Sequence, residues 1–188
     1  MPKFVSISTA AEQLRSANRI LVIGCSGSGK STLSQKLCRR LGLPYISMDR
    51  DVFWLAGWKM RPRAEIVERM KAFVAGERWL IDGNSPGTLP IRLQRTEFVV
   101  WLRPPRWVSV YGILSRWIRY RGQTRPEQAE GCPEKMDWPF FRYVWNFEKT
   151  EVPEILGHLD AAGAELPVLV LKSHAESHRL LAILDRGH

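Results

Sequence analysis

Arg19-Ile20-Leu21-Val22-Ile23-Gly24-Cys25-Ser26-Gly27-Ser28-Gly29-Lys30-Ser31-Thr32-Leu33 decides the fold. The run from Ile20 to Ile23 is continuously apolar, as in a parallel strand buried on both faces. Leu33, Leu37 and Leu41, four residues apart, mark one face of a helix. Between them Gly24-x4-Gly29-Lys30-Ser31 is a complete G-x-x-x-x-G-K-[ST] match in the strand-to-helix context that the motif requires. Its glycines let the backbone curl until successive N–H groups point at phosphate oxygens, and the helix N-terminus adds positive potential. Gly24, Ser26, Gly27, Ser28, Gly29, Lys30, Ser31 and Thr32 are therefore the expected nucleotide-binding residues. Lys30 supplies a cation to the phosphates, and the Ser31 hydroxyl suits Mg²⁺. Cys25 lies in the same loop, where thiol pKa values tend to fall, but the chemistry does not need it.

Working outward, Thr9-Ala10-Ala11-Glu12 reads as a capping box that opens a short helix before the first strand. Gly42 stops the helix after the loop, and Leu43-Pro44-Tyr45-Ile46-Ser47-Met48 leads into a second strand ending at Asp49. An aromatic loop, Phe53-Trp54 and Gly57-Trp58, precedes a helix that starts near Pro62. Trp79-Leu80-Ile81 is a third strand closed by Asp82-Gly83, and Phe98-Val99-Val100-Trp101-Leu102 is a fourth. Pro104-Pro105 then opens a helix with Trp107, Val110, Tyr111, Leu114 and Ile118 on one face and Arg116 and Arg119 on the other. Residues 122–135 lack apolar periodicity, contain Gly122, Pro126, Gly131 and Pro133, and read as a mobile loop. Asp137 caps an aromatic helix, Pro153 interrupts the helical pattern, Val168-Leu169-Val170-Leu171 is a fifth strand, and residues 175–184 form the last helix. Strands alternating with helices predict a three-layer α/β/α domain with a parallel sheet. Ligands of such sheets bind at the carboxyl ends of the strands, where Gly24, Asp49, Asp82 and Arg103 fall.

The 188 residues fit one domain, and 45% hydrophobic with 25% charged residues are ordinary globular values. Cys25, Cys38 and Cys132 form no CxxC pair and no zinc spacing, so a cytoplasmic setting is expected. No apolar run of spanning length occurs, and no membrane association is expected. The net charge of +9 calls for a polyanionic partner. Arg92, Arg95, Arg103, Arg106, Arg116, Arg119, Arg121 and Arg125 follow one another with only Glu97 opposing them. Arg116, Arg119, Arg121 and Arg125 surround the start of the loop, where closure brings charge onto a transferring phosphoryl group. Asp82, at a strand end beside Gly83, suits ordering of the magnesium shell. Asp49 either faces a phosphate acceptor or caps a helix beside Arg50 and Asp51. Trp54 and Trp58 either stack on a ligand or pack, whereas Trp79, Trp101, Trp107, Trp138 and Trp145 read as core. His174 and His178 lack a third ligand and read as a surface pair.

Met48-Asp49, Phe53-Trp54-x2-Gly57-Trp58, Ile81-Asp82-Gly83-Asn84, Pro104-Pro105-Arg106-Trp107, Arg119-x-Arg121-Gly122-x-Thr124-Arg125-Pro126, Gly131-Cys132-Pro133-Glu134 and Trp138-x6-Trp145 carry a resemblance. Together with the phosphate loop, they resemble the bacterial DNA topology modulation proteins, themselves related to adenylate kinases, over roughly residues 19–172. The resemblance implies a nucleoside-monophosphate-kinase-like P-loop fold with five parallel strands, ATP with Mg²⁺, an acceptor-binding insertion at about 49–76 and a lid at about 119–137. It implies an ATP-dependent kinase whose acceptor is a nucleotide or another small molecule, Lys30, Asp82, Arg116, Arg119, Arg121 and Arg125 serving catalysis. The alternative is an ATP-regulated protein that binds nucleic acid and affects DNA topology. Adenylate kinases carry Asp-Gly-Phe-Pro-Arg where this chain has Asp82-Gly83-Asn84-Ser85-Pro86, so the arginine that grips their acceptor phosphate is missing. Arg92, ten residues after Asp82, is the candidate to replace it, with Asp49 and Trp54 as the other expected acceptor contacts.

Overall fold

The computed structural model describes residues 2–125 and 127–186; Pro126, expected within the loop, lies outside them. The chain runs through β1 (Lys3–Phe4), α1 (Ile7–Ser16), β2 (Arg19–Gly24), α2 (Lys30–Leu41) and β3 (Tyr45–Ser47). A π-helical turn, Met48–Phe53, leads into a small antiparallel hairpin, β4 (Trp54–Leu55) and β5 (Lys59–Met60). Then follow α3 (Arg63–Ala75), β6 (Trp79–Asp82), α4 (Leu89–Leu93), β7 (Phe98–Leu102), α5 (Arg106–Arg119), α6 (Trp138–Thr150), α7 (Val152–Ala161), β8 (Pro167–Leu171) and α8 (His174–Asp185).

The main sheet has the order β1-β8-β7-β2-β6-β3, every pair parallel. The phosphate-loop strand β2 lies inside it, with Leu21 in register with Ile81 on one side and Val99 on the other. Alternation along each strand splits the core in two. Leu21, Ile23, Ile81, Val99 and Trp101 meet Met70, Val144 and Phe147 on one face. Ile20, Val22, Leu80 and Val100 meet Leu14, Leu37 and Leu180 on the other.

The sheet has six strands, one more than expected. The sixth, β1, is a two-residue exposed edge pairing with Pro167 and Val168, too short to leave a periodic pattern. The first helix is capped by Ser6, not Thr9: the Ser6 Oγ accepts from the Thr9 N–H at 3.2 Å, so the helix begins earlier than the capping box suggested. Asp137 caps α6 as expected, accepting from the Phe140 N–H at 2.9 Å.

Helix α5 is turned the other way round from the expected orientation. Its apolar stripe, Trp107, Tyr111, Leu114 and Ile118, is exposed, while Ser109 and Ile113 are buried. Trp138 and Trp145 of α6 are exposed as well, so of the five tryptophans expected in the core only Trp79 and Trp101 are there. The cause is a close approach. A Cβ on Gly112 would stand 2.1 Å from the Gly27 carbonyl oxygen, and one on Gly27 2.1 Å from the Ser109 carbonyl oxygen. Small residues let α5 sit directly on the phosphate loop, and that contact directs the bulky stripe outward.

Candidate active site

The loop between β2 and α2 carries Gly24, Gly27 and Gly29 at φ 140°, 81° and 93°, conformations that L side chains rarely adopt. Gly29 caps α2, and no side chain bonds to the first N–H groups of that helix, the groups that phosphate oxygens take in such loops. Lys30 Nζ donates to the Cys25 carbonyl at 2.9 Å, so the lysine lies along the loop. Burial raises the Cys25 thiol pKa to about 11, with Lys30 opposing, which reverses the low value expected of a thiol at a helix N-terminus.

Asp82, at the end of β6, is buried. One carboxylate oxygen accepts from the Tyr45 hydroxyl at 2.9 Å and the other has no hydrogen-bond partner among the described residues. Desolvation pushes its pKa above the ordinary carboxylate range, with Lys30 and Ser31 beside it opposing the rise. A buried carboxylate with an unsatisfied oxygen next to the Ser31 hydroxyl fits a divalent cation held through its water shell. Because the folded pKa is raised, this group favours the folded state when protonated and weakens it as pH climbs from the ordinary carboxylate range through the raised value. Asp82→Asn is therefore expected to raise the melting temperature at neutral pH without metal by at least about 2 °C, what roughly 1 kcal/mol does in a chain this long. The gain should shrink in acid, and added Mg²⁺ should stabilise the parent protein but not the variant. Thermal unfolding with and without Mg²⁺ checks this; a less stable variant would mean that the carboxylate is satisfied by the fold itself.

Asp49 and Asp51, two apart in the turn after β3, divide the labour. The cap is Ser47, whose Oγ accepts from the Arg50 N–H at 3.4 Å, and Asp51 supports it by accepting from the Ser47 N–H at 2.9 Å and pairing with Arg50 at 2.8 Å. Asp49 lies instead on the shared wall of two cavities, with Ser26 of the phosphate loop and Trp54. The larger, about 610 Å³, has an apolar wall of Phe53, Trp54, Ile66 and Tyr143, with Arg61, Arg63, Asn84 and Glu151 as its polar contacts. The smaller, about 290 Å³, is closed by Arg116, Arg125, Glu134 and Phe140. A third cavity, about 360 Å³, runs over the loop between Lys30, Ser31 and Thr32 and the residues Arg116, Arg119 and Arg125, and reaches His174.

The four arginines expected at the loop separate. Arg116 and Arg125 donate from Nε to the two carboxylate oxygens of Glu134, at 2.7 and 2.6 Å, and Glu134 is buried. Burial lowers the Arg116 pKa, Arg125 adding to the effect and Glu134 opposing it. Arg119 lines the cavity above the phosphate loop. Arg121 does not: it is exposed, with its guanidinium over the Trp117 ring at 5.4 Å. Arg92 is not an acceptor contact either. Its side chain is fully buried and donates to the carbonyls of Gly83 and Ser85 at 2.9 and 2.8 Å, fixing the turn after Asp82 from behind. With no carboxylate on it, burial lowers its pKa to about 9.

Sequence reading missed Glu134, which gains meaning only when residues 121–135 fold back. Among its described residues that segment has no helix, and its strand-like feature is the Arg121 to Glu134 bridge. Side-chain and backbone bonds pin it on two sides. Ser47 Oγ donates to the Glu127 carbonyl at 2.8 Å, the Gly57 N–H to the Gly131 carbonyl at 2.9 Å, and Trp58 Nε1 to the Pro133 carbonyl at 3.0 Å. Trp58 itself holds φ 63°, unusual for a bulky residue, and these contacts hold it there. His174, read as half of a surface pair, stands with Nε2 3.5 Å from where a Gly29 Cβ would lie. The available signal was its place just after the last strand, since strand carboxyl ends carry ligand sites. Among the described residues no group of three metal-ligating side chains occurs.

No protein-family model matches the chain. A shikimate kinase from Symbiobacterium thermophilum is 32% identical over 100 residues, covering 44% of this chain, which thus spans 56%, about half, of that curated relative. Among solved structures, a shikimate kinase from Acinetobacter baumannii in complex with shikimate superposes with a TM-score of 0.52 at 14% identity, over 94% of this chain and 98% of that one. A gluconokinase from Sinorhizobium meliloti gives 0.50 at 17%, over 90% and 92%. The fold, a parallel sheet flanked by helices with the phosphate loop after β2, is the one these two kinase structures share. No helix among the described residues is long and apolar enough to cross a membrane.

Proposed function

We propose that the chain is an ATP-dependent phosphotransferase that moves the γ-phosphoryl group of Mg-ATP to a hydroxyl of a small molecule. The carrying observation is the position of Asp49 between the phosphate loop and the 610 Å³ cavity. In this reading the N–H groups of the loop and Lys30 hold the β- and γ-phosphates. Ser31 and Asp82 would hold a divalent cation, which when bound would offset the charge of the phosphates. Asp49 accepts the proton of the acceptor hydroxyl as its oxygen forms a bond to the γ-phosphorus and the bond to the β–γ bridging oxygen breaks. Arg116 and Arg125 approach the transferring oxygens, while His174 and Arg119 flank the space left for the nucleoside.

An alcohol fits the acceptor cavity better than a nucleotide phosphate. Among the described residues its arginines are Arg61 and Arg63, Arg61 is held by Glu65 at 2.6 Å, and Asp49 and Glu151 add negative charge that opposes a dianion. The arginine that would grip a phosphate, Arg92, is spent on carbonyls. The nucleic-acid reading loses support on the same grounds, since Arg116 and Arg125 face inward onto Glu134, Arg95 pairs with Glu77 and Arg103 with Glu148. A coupled ADP-release screen of nucleoside monophosphates, nucleosides, sugar acids and ring alcohols, shikimate among them, tests the proposal. Stimulation by one or more hydroxyl acceptors is expected; stimulation by nucleoside monophosphates alone would overturn it.

A further inference from the structure

Helix α5 exposes the residues that an isolated amphipathic helix would bury. Trp107, Tyr111, Leu114 and Ile118 of α5 are 67, 71, 41 and 70% exposed, and Trp138 and Trp145 of α6 are 72 and 45% exposed. The two helices pack against each other, with Arg106 over the Trp145 ring at 5.1 Å and Arg116 over Phe140 at 5.9 Å, which sets them antiparallel. Trp138, Phe141 and Trp145 form a continuous ring stack along α6, at centroid distances of 5.4 and 6.1 Å. Taking about 200 Å² for a fully exposed aromatic side chain, the uncovered apolar area is on the order of 700 Å². That exceeds the roughly 300–600 Å² of the largest patch on a typical monomer and approaches the ~800 Å² that each partner gives a standard interface.

We infer that this face is where two copies of the chain meet, with α5 antiparallel to its counterpart across a twofold axis. Trp107, Tyr111, Leu114 and Ile118 follow the 4-3-4 spacing of a coiled-coil seam, Trp107 and Leu114 at d and Tyr111 and Ile118 at a. The spacing reads the same from both ends. An antiparallel pair sets Trp107 against Ile118 of the second copy and Tyr111 against Leu114, a ring against an aliphatic side chain at each level, as a self-complementary interface requires. Charge placement favours this occupant. The positions bordering the seam, Val108, Val110, Ser115 and Trp117, are uncharged, and Arg106, Arg116 and Arg119 lie more than a quarter turn round the helix. A helix that lies on an anionic bilayer keeps Lys and Arg free on its polar face, whereas here Arg116 is taken up by Glu134 and Arg106 by the Trp145 ring. The opposite face of α5 rests on the phosphate loop, so the pairing does not depend on the phosphotransferase reading.

Sedimentation velocity of the full chain at micromolar concentration is expected to give twice the chain mass. Tyr111→Glu with Ile118→Glu, two exposed sites, should raise the dimer dissociation constant at least about thirtyfold, equivalent to the roughly 2 kcal/mol of an interface hot spot, with an unchanged circular dichroism spectrum. Cys25, Cys38 and Cys132 are all buried, so introduced thiols report cleanly. Tyr111→Cys with Leu114→Cys should form an intermolecular disulfide on mild oxidation. A monomeric parent protein, a dimer indifferent to the two glutamates, or efficient cross-linking through Tyr111→Cys alone, which marks a parallel pair, would overturn the inference. So would a monomer that co-sediments with phosphatidylglycerol vesicles but not with phosphatidylcholine vesicles, which would assign the face to a lipid surface.

Discussion

Asp49→Asn is expected to lower acceptor-stimulated ADP release at least about a hundredfold, the lower end of the range for losing a general base, while ATP affinity stays within about twofold, a difference of roughly 0.4 kcal/mol. The asymmetry follows from place. Asp49 borders the acceptor cavity and the cavity under Arg116 and Arg125, but not the cavity that runs over Lys30 and Ser31. Asparagine keeps the shape and loses the proton acceptor, so binding on the loop is untouched and the hydroxyl is no longer activated. Asp51→Asn is the internal control. Its carboxylate holds the Ser47 N–H and Arg50, so its loss should lower stability and move Asp49 rather than remove it. Isothermal titration with ATP and steady-state assay of both variants distinguish the roles. Equal turnover in Asp49→Asn and the parent protein would remove Asp49 from the chemistry.

The parts of this molecule legible in the sequence are those where one local constraint fixes one conformation. A glycine loop between an apolar run and a helical leucine stripe has few alternatives, and strand-helix alternation then dictates a parallel sheet. Direction was harder. The periodicity of α5 separates two faces correctly, yet which face turns inward is decided by Ser109 and Gly112 meeting Gly27, a contact 82 to 85 residues apart in sequence. Hydrophobic content argues for the wrong face because the five apolar side chains of the stripe are visible locally and the close approach to the loop is not. Arg92 shows the same limit. A guanidinium ten residues after Asp82 reads as a phosphate ligand, but the carbonyls of Gly83 and Ser85 take it, and the short α4 points it into the turn after β6. Glu134 had no signal, because its meaning comes from two arginines on different segments that converge on it only in three dimensions.

That convergence carries the last expectation. Arg116→Ala should lower turnover at least about a hundredfold and Arg125→Ala at least about tenfold, the latter equivalent to roughly 1.4 kcal/mol of transition-state stabilisation. Arg116 is placed for the larger share because it comes from a helix seated on the phosphate loop and lines both the nucleotide and the smaller acceptor-side cavity. Glu134 is the buried carboxylate that both guanidiniums share, so removing it takes away the hydrogen-bonded partner of Arg116 and leaves Arg125 with Glu127 at 3.7 Å and Gln128, a change that costs about 3–5 kcal/mol when one partner of a buried pair is lost. Glu134→Gln should therefore lower the melting temperature, and Arg116→Ala on that background should lower it by less than on the parent protein. The double-variant cycle separates a clamp that only stabilises the fold from one that presents the arginines to phosphate. In the second case Arg116→Lys, which keeps the charge and loses the fork, should recover stability more fully than turnover. Full recovery of turnover by lysine, or unchanged turnover in Arg116→Ala, would leave Arg116 as a structural partner of Glu134 and shift the transition-state charge to Lys30 and Arg119.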